Sequence, residues 1–96
     1  MTHFEWDERK DRANRLKHGV GFQDATLAFL DPQRLVFEDH GHSADERRMF
    51  CLGLVDGRVL TVRFTKRDGS IRIFGAGYWR KGRRLYHEWQ ERRGLH

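Results

Sequence analysis

Cysteine is almost missing from this sequence: Cys51 stands alone among 96 residues. One thiol cannot close an intramolecular disulfide, so a disulfide-stapled scaffold is excluded and a reducing, cytoplasmic setting is expected. Proline is as scarce, with Pro32 the single example. No low-complexity tract, linker or internal repeat interrupts the chain, and one domain over residues 1–96 is expected. No run approaches the ~18 apolar residues that a membrane-spanning helix needs. The opening Met1-Thr2-His3-Phe4-Glu5-Trp6 lacks the basic start and apolar stretch of a signal peptide. A membrane partner is therefore not expected. Acidic residues are sparse late in the chain, where residues 58–93 hold only Asp68, Glu88 and Glu91.

Positive charge fills that gap. The same stretch carries eleven arginines and lysines, and the whole chain has a formal net charge of +5. Such an excess suits an anionic partner such as nucleic acid or an acidic protein.

The apolar pattern changes period along the chain. Phe4 and Trp6 alternate around Glu5, a short first strand. Asp7 then reads as the N-cap of a helix over 8–18, with Ala13 and Leu16 as its apolar stripe and Gly19 as its stop. Phe22, Ala25, Thr26 and Phe29 share one face of a second helix over 22–30, which Asp31-Pro32 ends. Strands follow at 34–38, 49–55, 58–66 and 70–77. Asp56-Gly57 and Asp68-Gly69 are hairpin signals between the last three. Leu60, Val62 and Phe64 fall on one face of their strand, and Val59, Thr61, Arg63 and Thr65 on the other. A basic helix over 80–93 would dock through Leu85 and Trp89, with Tyr86 beside them. Helices grouped ahead of hairpin-linked strands indicate an α+β fold, with N-terminal helices on an antiparallel meander and a C-terminal helix.

Several short pieces then resemble one known family. They are Phe4-Glu5-Trp6-Asp7-Glu8 with Lys10 and Asn14, Lys17-His18-Gly19-Val20, Phe22, Ala25 and Phe29-x-Asp31-Pro32. They continue with His42-Ser43, Glu46-Arg47, Gly53, Gly57-Arg58, Thr65-x-Arg67 and Ile71-Arg72-Ile73, and more weakly with Arg83-Arg84-x-Tyr86-x-Glu88. In this order and spacing they resemble the BrnT toxins of type II toxin–antitoxin systems. The resemblance implies a RelE-like fold and an endoribonuclease that cleaves RNA and so inhibits translation. It also implies a BrnA-like antitoxin that neutralises the toxin in a hetero-oligomer and carries the contact with operator DNA. One stretch departs from the family, whose Ser-Ala-Arg signature is replaced here by Gly75-Ala76-Gly77.

Cleaving RNA without a metal makes three chemical demands. A 2′-hydroxyl must lose a proton, the leaving 5′-oxygen must gain one, and the crowded phosphate must be stabilised. Arginine suits the last, because its fork donates two hydrogen bonds to phosphate oxygens. Arg47, Arg67 and Arg72 match family positions on or beside strands, where they would converge on a catalytic patch or pair with Asp45, Glu46 or Asp68. His18 and Glu46 are further catalytic candidates. His18 could equally cap its helix, and Glu46 could equally pair with Arg47 or Lys17. Lys17, His42, Arg63 and Arg80 are candidates for binding RNA, and His42, like His18, could equally carry a proton or brace its loop. His40 and His42 with Asp39 and Asp45 lack the thiolate and spacing of a zinc site, so no metal or other cofactor is expected. Cys51 sits in the most apolar strand and is expected to be inert core.

Overall fold

A computed structural model describes residues 2–94 of the chain. Strand β1 (His3–Trp6) leads into helix α1 (Glu8–His18). Helix α2 (Phe22–Ala25) runs directly into a 3₁₀ segment, Thr26–Leu30. Strand β2 (Leu35–Glu38) and a short 3₁₀ turn at His40–His42 come next. Strands β3 (Arg48–Val55), β4 (Arg58–Arg67) and β5 (Ser70–Gly77) follow, then helix α3 (Arg80–Arg92). The strands form one five-stranded sheet in the order β1-β5-β4-β3-β2. β2 to β5 are the expected antiparallel meander, but β1 joins β5 in parallel, so the sheet is mixed. A parallel neighbour needs a long connection. The chain between β1 and β5 holds every other strand, a relation that alternation within one strand does not encode.

Turn chemistry works as the sequence indicates. Asp56 and Gly57 adopt φ of 53° and 77°, and Asp68 and Gly69 adopt 47° and 82°. These are the left-handed conformations of two-residue hairpins, which Asp and Gly tolerate best. Asp7 caps α1 by accepting from the Arg9 amide at 2.8 Å. Gly19 ends it at φ 72°.

α1, α2 and the 3₁₀ segment cover one face of the sheet, where Phe22, Phe64, Leu60, Ile73 and Val62 are fully buried. Each such side chain contributes roughly 1.5–3 kcal/mol relative to exposure. The expected stripe over 22–30 is partly corrected. Phe22, Ala25 and Ala28 are the buried positions, and the helix tightens to 3₁₀ after Ala25. Three residues per turn stacks i, i+3 and i+6 on one line, which brings Ala28 inward instead of Thr26. Leu27 and Leu30 are left exposed.

α1 departs furthest from its apolar pattern. Ala13 is exposed and Leu16 is 90% exposed, whereas Asp11 and Asn14 are buried. The helix docks by hydrogen bonds. Beyond Trp6 the outer edge of β5 has no strand beside it, and Asn14 takes that place. Its side-chain oxygen accepts from the Ala76 amide at 3.2 Å, and its nitrogen donates to the carbonyls of Ala76 and Val20 at 2.9 Å each. Asp11 accepts from the Phe22 amide at 2.7 Å. Asn14→Ala would strand three backbone groups, at about 1–3 kcal/mol for each one that water cannot reach. A loss on the order of 3 kcal/mol is expected, which lowers Tm by more than about 10 °C in a domain of this size. An unchanged thermal midpoint by circular dichroism would show that water replaces the amide.

α3 lies on the opposite face, over the Thr61 end of β4. Its buried line is Gly82, Tyr86 and Gln90. The expected docking pair is therefore corrected: Leu85 packs against Leu52, Val59 and Tyr86, but Trp89 remains 36% exposed. Polar anchors set the helix rotation. Tyr86 Oη donates to Asp31 Oδ2 at 2.6 Å, and Gln90 donates to the Gln33 carbonyl at 3.1 Å. Asp31 also accepts from the amides of Gln33 and Leu54. Burial raises the Asp31 carboxyl, but the hydrogen bonds from Tyr86, Leu54 and Gln33 and the charge of Arg34 outweigh it. The net pKa falls below the ordinary value of 3.8. A depressed carboxylate contributes stability above its unfolded pKa and loses it as pH falls through the folded one. Tyr86→Phe should therefore cost about 1.5–3 kcal/mol at neutral pH. That deficit should shrink in denaturant titrations below pH 3.8, and a pH-independent deficit would assign the loss to packing.

Candidate functional site

α3 covers only part of its face and leaves the other half of the sheet open. Along β4 the open face carries Arg63, Thr65 and Arg67. Register brings Phe50 beside Arg63 and Arg48 beside Thr65 from β3, and Arg72 beside Thr65 from β5. Glu5 lies beside Arg72 from β1. Side chains directly opposite on neighbouring strands point the same way, so these groups share one surface.

A bulge shapes its centre. Pairing jumps from Arg63–Gly75 to Phe64–Ile73, which leaves Phe74 as the extra residue on β5. The guanidinium carbons of Arg48 and Arg63 lie 5.1 and 5.0 Å from the Phe74 ring centre. Both are within cation–π range. The stem of Arg63 runs over Gly75, where a Cβ would meet its Cδ at 3.5 Å, an ordinary contact. Among the described residues neither Arg48 nor Arg63 pairs with a carboxylate.

The chain from β2 to β3 borders the open face. Glu46 accepts from Arg67 Nε at 3.2 Å and from Nη2 at 3.1 Å. These bonds from Arg67 first, and also the charges of Arg48 and Arg72, hold the Glu46 carboxyl below its ordinary value. Glu46 is thus a weak base and a clamp on Arg67. Arg72 Nη1 stands 3.9 Å from Glu5 Oε1, a loose pair that leaves its donors available. His42, Glu46, Arg48 and Arg67 line a cleft of about 390 Å³. His42 Nδ1 lies 2.9 Å from Asp39 Oδ2. A carboxylate only accepts, so Nδ1 is the donor in this contact and Nε2 is the ring nitrogen it leaves uncommitted.

The structure thus brings His42, Glu46, Arg63, Arg67 and Arg72 together. Four other candidates lie elsewhere. Arg47 pairs with Glu38 at 3.0 Å, and Glu38 stands opposite Met49 on the helix-covered face. Alternation therefore points Arg48, not Arg47, onto the surface with Arg72. His18 ends α1 with its ring edge-to-face on Trp79, centres 5.1 Å apart. Lys17 beside it is exposed. Both sit at the Gly77 end of β5, five residues and roughly 16 Å from Arg72. Arg80 opens α3 at that same end. Sequence reasoning missed Arg48. Strand parity from Phe50 and Leu52 was the available signal, but it required the strand to begin at residue 48.

Gly77 is closed by Trp79. A Cβ on Gly77 would lie 2.5 Å from the indole ring, so residues 77 and 79 exclude each other's larger side chains. Among the described residues no group of three or more His, Cys, Asp or Glu side chains converges to hold a metal ion. No helix among them is long and apolar enough to cross a membrane. Cys51 is wholly enclosed, and burial pushes its thiol up to about 12. It is unreactive core, as expected.

A family model described as ribonuclease toxin, BrnT, of type II toxin–antitoxin system matches residues 6–82. That span runs from the end of β1 through the open face to the first turn of α3, and includes Gly75-Ala76-Gly77. No curated protein matches the chain. With most of its length matched, this chain belongs to the BrnT family of ribonuclease toxins from type II toxin–antitoxin systems.

Proposed function

We propose that the chain is a metal-independent endoribonuclease of RelE-like fold that cuts RNA on the open sheet face and so inhibits translation. Family membership supports the ribonuclease class and an antitoxin partner. The observation that carries the rest is the Asp39–His42 pair in a cleft with Arg48 and Arg67, on the sheet surface that Arg63 and Arg72 share. His42 Nε2 takes the proton from a 2′-hydroxyl. The freed oxygen attacks phosphorus, the bond to the 5′-oxygen breaks, and that oxygen takes a proton from water, while the proton held by His42 passes to solvent and restores the base. The products are a 2′,3′-cyclic phosphate and a 5′-hydroxyl. Arg67 and Arg72 neutralise the phosphate as its charge is redistributed, and Arg48 and Arg63 hold the flanking backbone. A BrnA-like antitoxin neutralises the toxin in a hetero-oligomer and carries its contact with operator DNA.

A second reading rests on Gly77 and Trp79, which remove the family arginine. In that reading the chain keeps the fold and binds its antitoxin without cleaving. Incubation of purified protein with total RNA, with and without EDTA, separates the two. Cleavage that survives EDTA and ends in cyclic phosphate supports the enzyme. Intact RNA beside protein that is folded by circular dichroism supports the binding module.

A further inference from the structure

The open face continues under the edge of α3 into an apolar cleft of about 250 Å³. Phe37 and Phe50 form one wall, with ring centres 5.2 Å apart, and Trp79 and Leu85 contribute from the other side. Leu52 and Thr61 stand opposite each other in the sheet and form the floor. Phe50 is also the cross-strand neighbour of Arg63, so the mouth of the cleft adjoins the arginine surface. Lys81 adds another cation at the rim. A dry cavity of roughly 150 Å³ accepts benzene, so this one has room for a larger flat ring.

Thr61 provides a separate observation. It is 5% exposed and lines the cleft, yet its hydroxyl has no hydrogen-bond partner. A buried hydroxyl without a partner costs free energy. Its oxygen lies against Gly82 of α3, where an added Cβ would collide with it, so helix packing closes the floor at this point and the cleft above is apolar.

We infer that this cleft stacks one unpaired base of the RNA strand whose phosphates lie on Arg48 and Arg63. The inference rests on the proposed RNA-cleaving function and adds the subsite that holds a base. Aromatic walls stack on any base, and the cations at the rim hold the phosphates on either side of it.

The test compares binding of two non-cleavable single-stranded oligomers, a 2′-O-methyl RNA and the same chain of abasic sugar–phosphate units. The intact oligomer should bind at least about tenfold tighter, as expected for one stacked base. Leu85→Trp, which fills the cleft, should abolish that preference, whereas Arg72→Ala should weaken both oligomers alike. Equal binding of the two oligomers by the parent overturns the inference, as does an unchanged preference in Leu85→Trp. Full RNA preference in that variant with loss of antitoxin binding would assign the cleft to a protein side chain instead. If neither oligomer binds, the function proposed above fails. The cleft is then judged by nuclear magnetic resonance with nucleoside 3′-monophosphates against ribose 5-phosphate. Shifts at Trp79 and Leu85 only with a base present support it, and their absence overturns it.

Discussion

Arg72→Ala is expected to lower RNA cleavage by about 10²–10³-fold, the usual cost of removing one donor aimed at developing charge. Arg72 sits in the middle of the open face, with Thr65 on one side and Glu5 on the other. Among the described residues its only carboxylate contact is the 3.9 Å approach to Glu5, so its guanidinium is not consumed by a tight pair. Its side chain is one-third exposed and belongs to no apolar cluster. Stability should therefore change by less than about 0.5 kcal/mol. The corresponding test in cells is growth on expression of the chain without an antitoxin. The parent should arrest growth and Arg72→Ala should release it. Persistent arrest by a folded Arg72→Ala protein would remove Arg72 from the reaction. Arg67→Ala should cost more than its own phosphate contact, because it also frees Glu46 and raises its carboxyl toward the ordinary value.

Gly53→Ala should produce the largest loss of stability from the addition of one methyl group. Gly53 lies in β3, opposite Leu60, where the 3₁₀ segment crosses the sheet. A Cβ there would meet the Ala28 carbonyl oxygen at 2.2 Å and its carbon at 2.9 Å. Both atoms are backbone, so no side chain can rotate away, and the 3₁₀ segment must lift off the sheet. Phe22, Ala25 and Ala28 would lose contact with the core they now fill. Overpacking of this kind costs about 1–3 kcal/mol, and backbone on both sides places it at the upper end. The expected shift in Tm is roughly 10 °C or more, read by calorimetry. A variant as stable as the parent would show that the 3₁₀ segment is loosely held. RNA cleavage per folded molecule should be unchanged, because Gly53 points to the helix-covered face, away from the arginines.

The candidate site was legible in part, and the division follows strand geometry. Arg63, Thr65, Arg67 and Arg72 could be placed on a common face because the strand period is two and the Asp-Gly turns set the hairpins. His42 and Glu46 were legible as residue types, but not as neighbours of those arginines. The choice between Arg47 and Arg48 turned on one residue of strand length, since a shift of one reverses every side chain. Phe74 reaches the arginines across a bulge that no turn residue announces. His18 and Lys17 were candidates by residue type and by resemblance, and the path of α1 carries them toward the Gly77 end of the sheet, where His18 packs on Trp79.

By itself the sequence determined the two hairpins, the cap and stop of α1, the alternation of β4, the inertness of Cys51 and an excess of positive charge that needs an anionic partner. Each is a local property, set by backbone conformation, by period or by composition. Tertiary structure alone decided that β1 lies parallel to β5, that Asn14 completes the free edge of β5, and that Tyr86 anchors α3 to Asp31. It also decided that α3 stops short and leaves half a sheet face uncovered. Those contacts join residues 55 to 67 positions apart. Their partners are chosen by which polar groups burial would otherwise strand, and no local pattern contains that information.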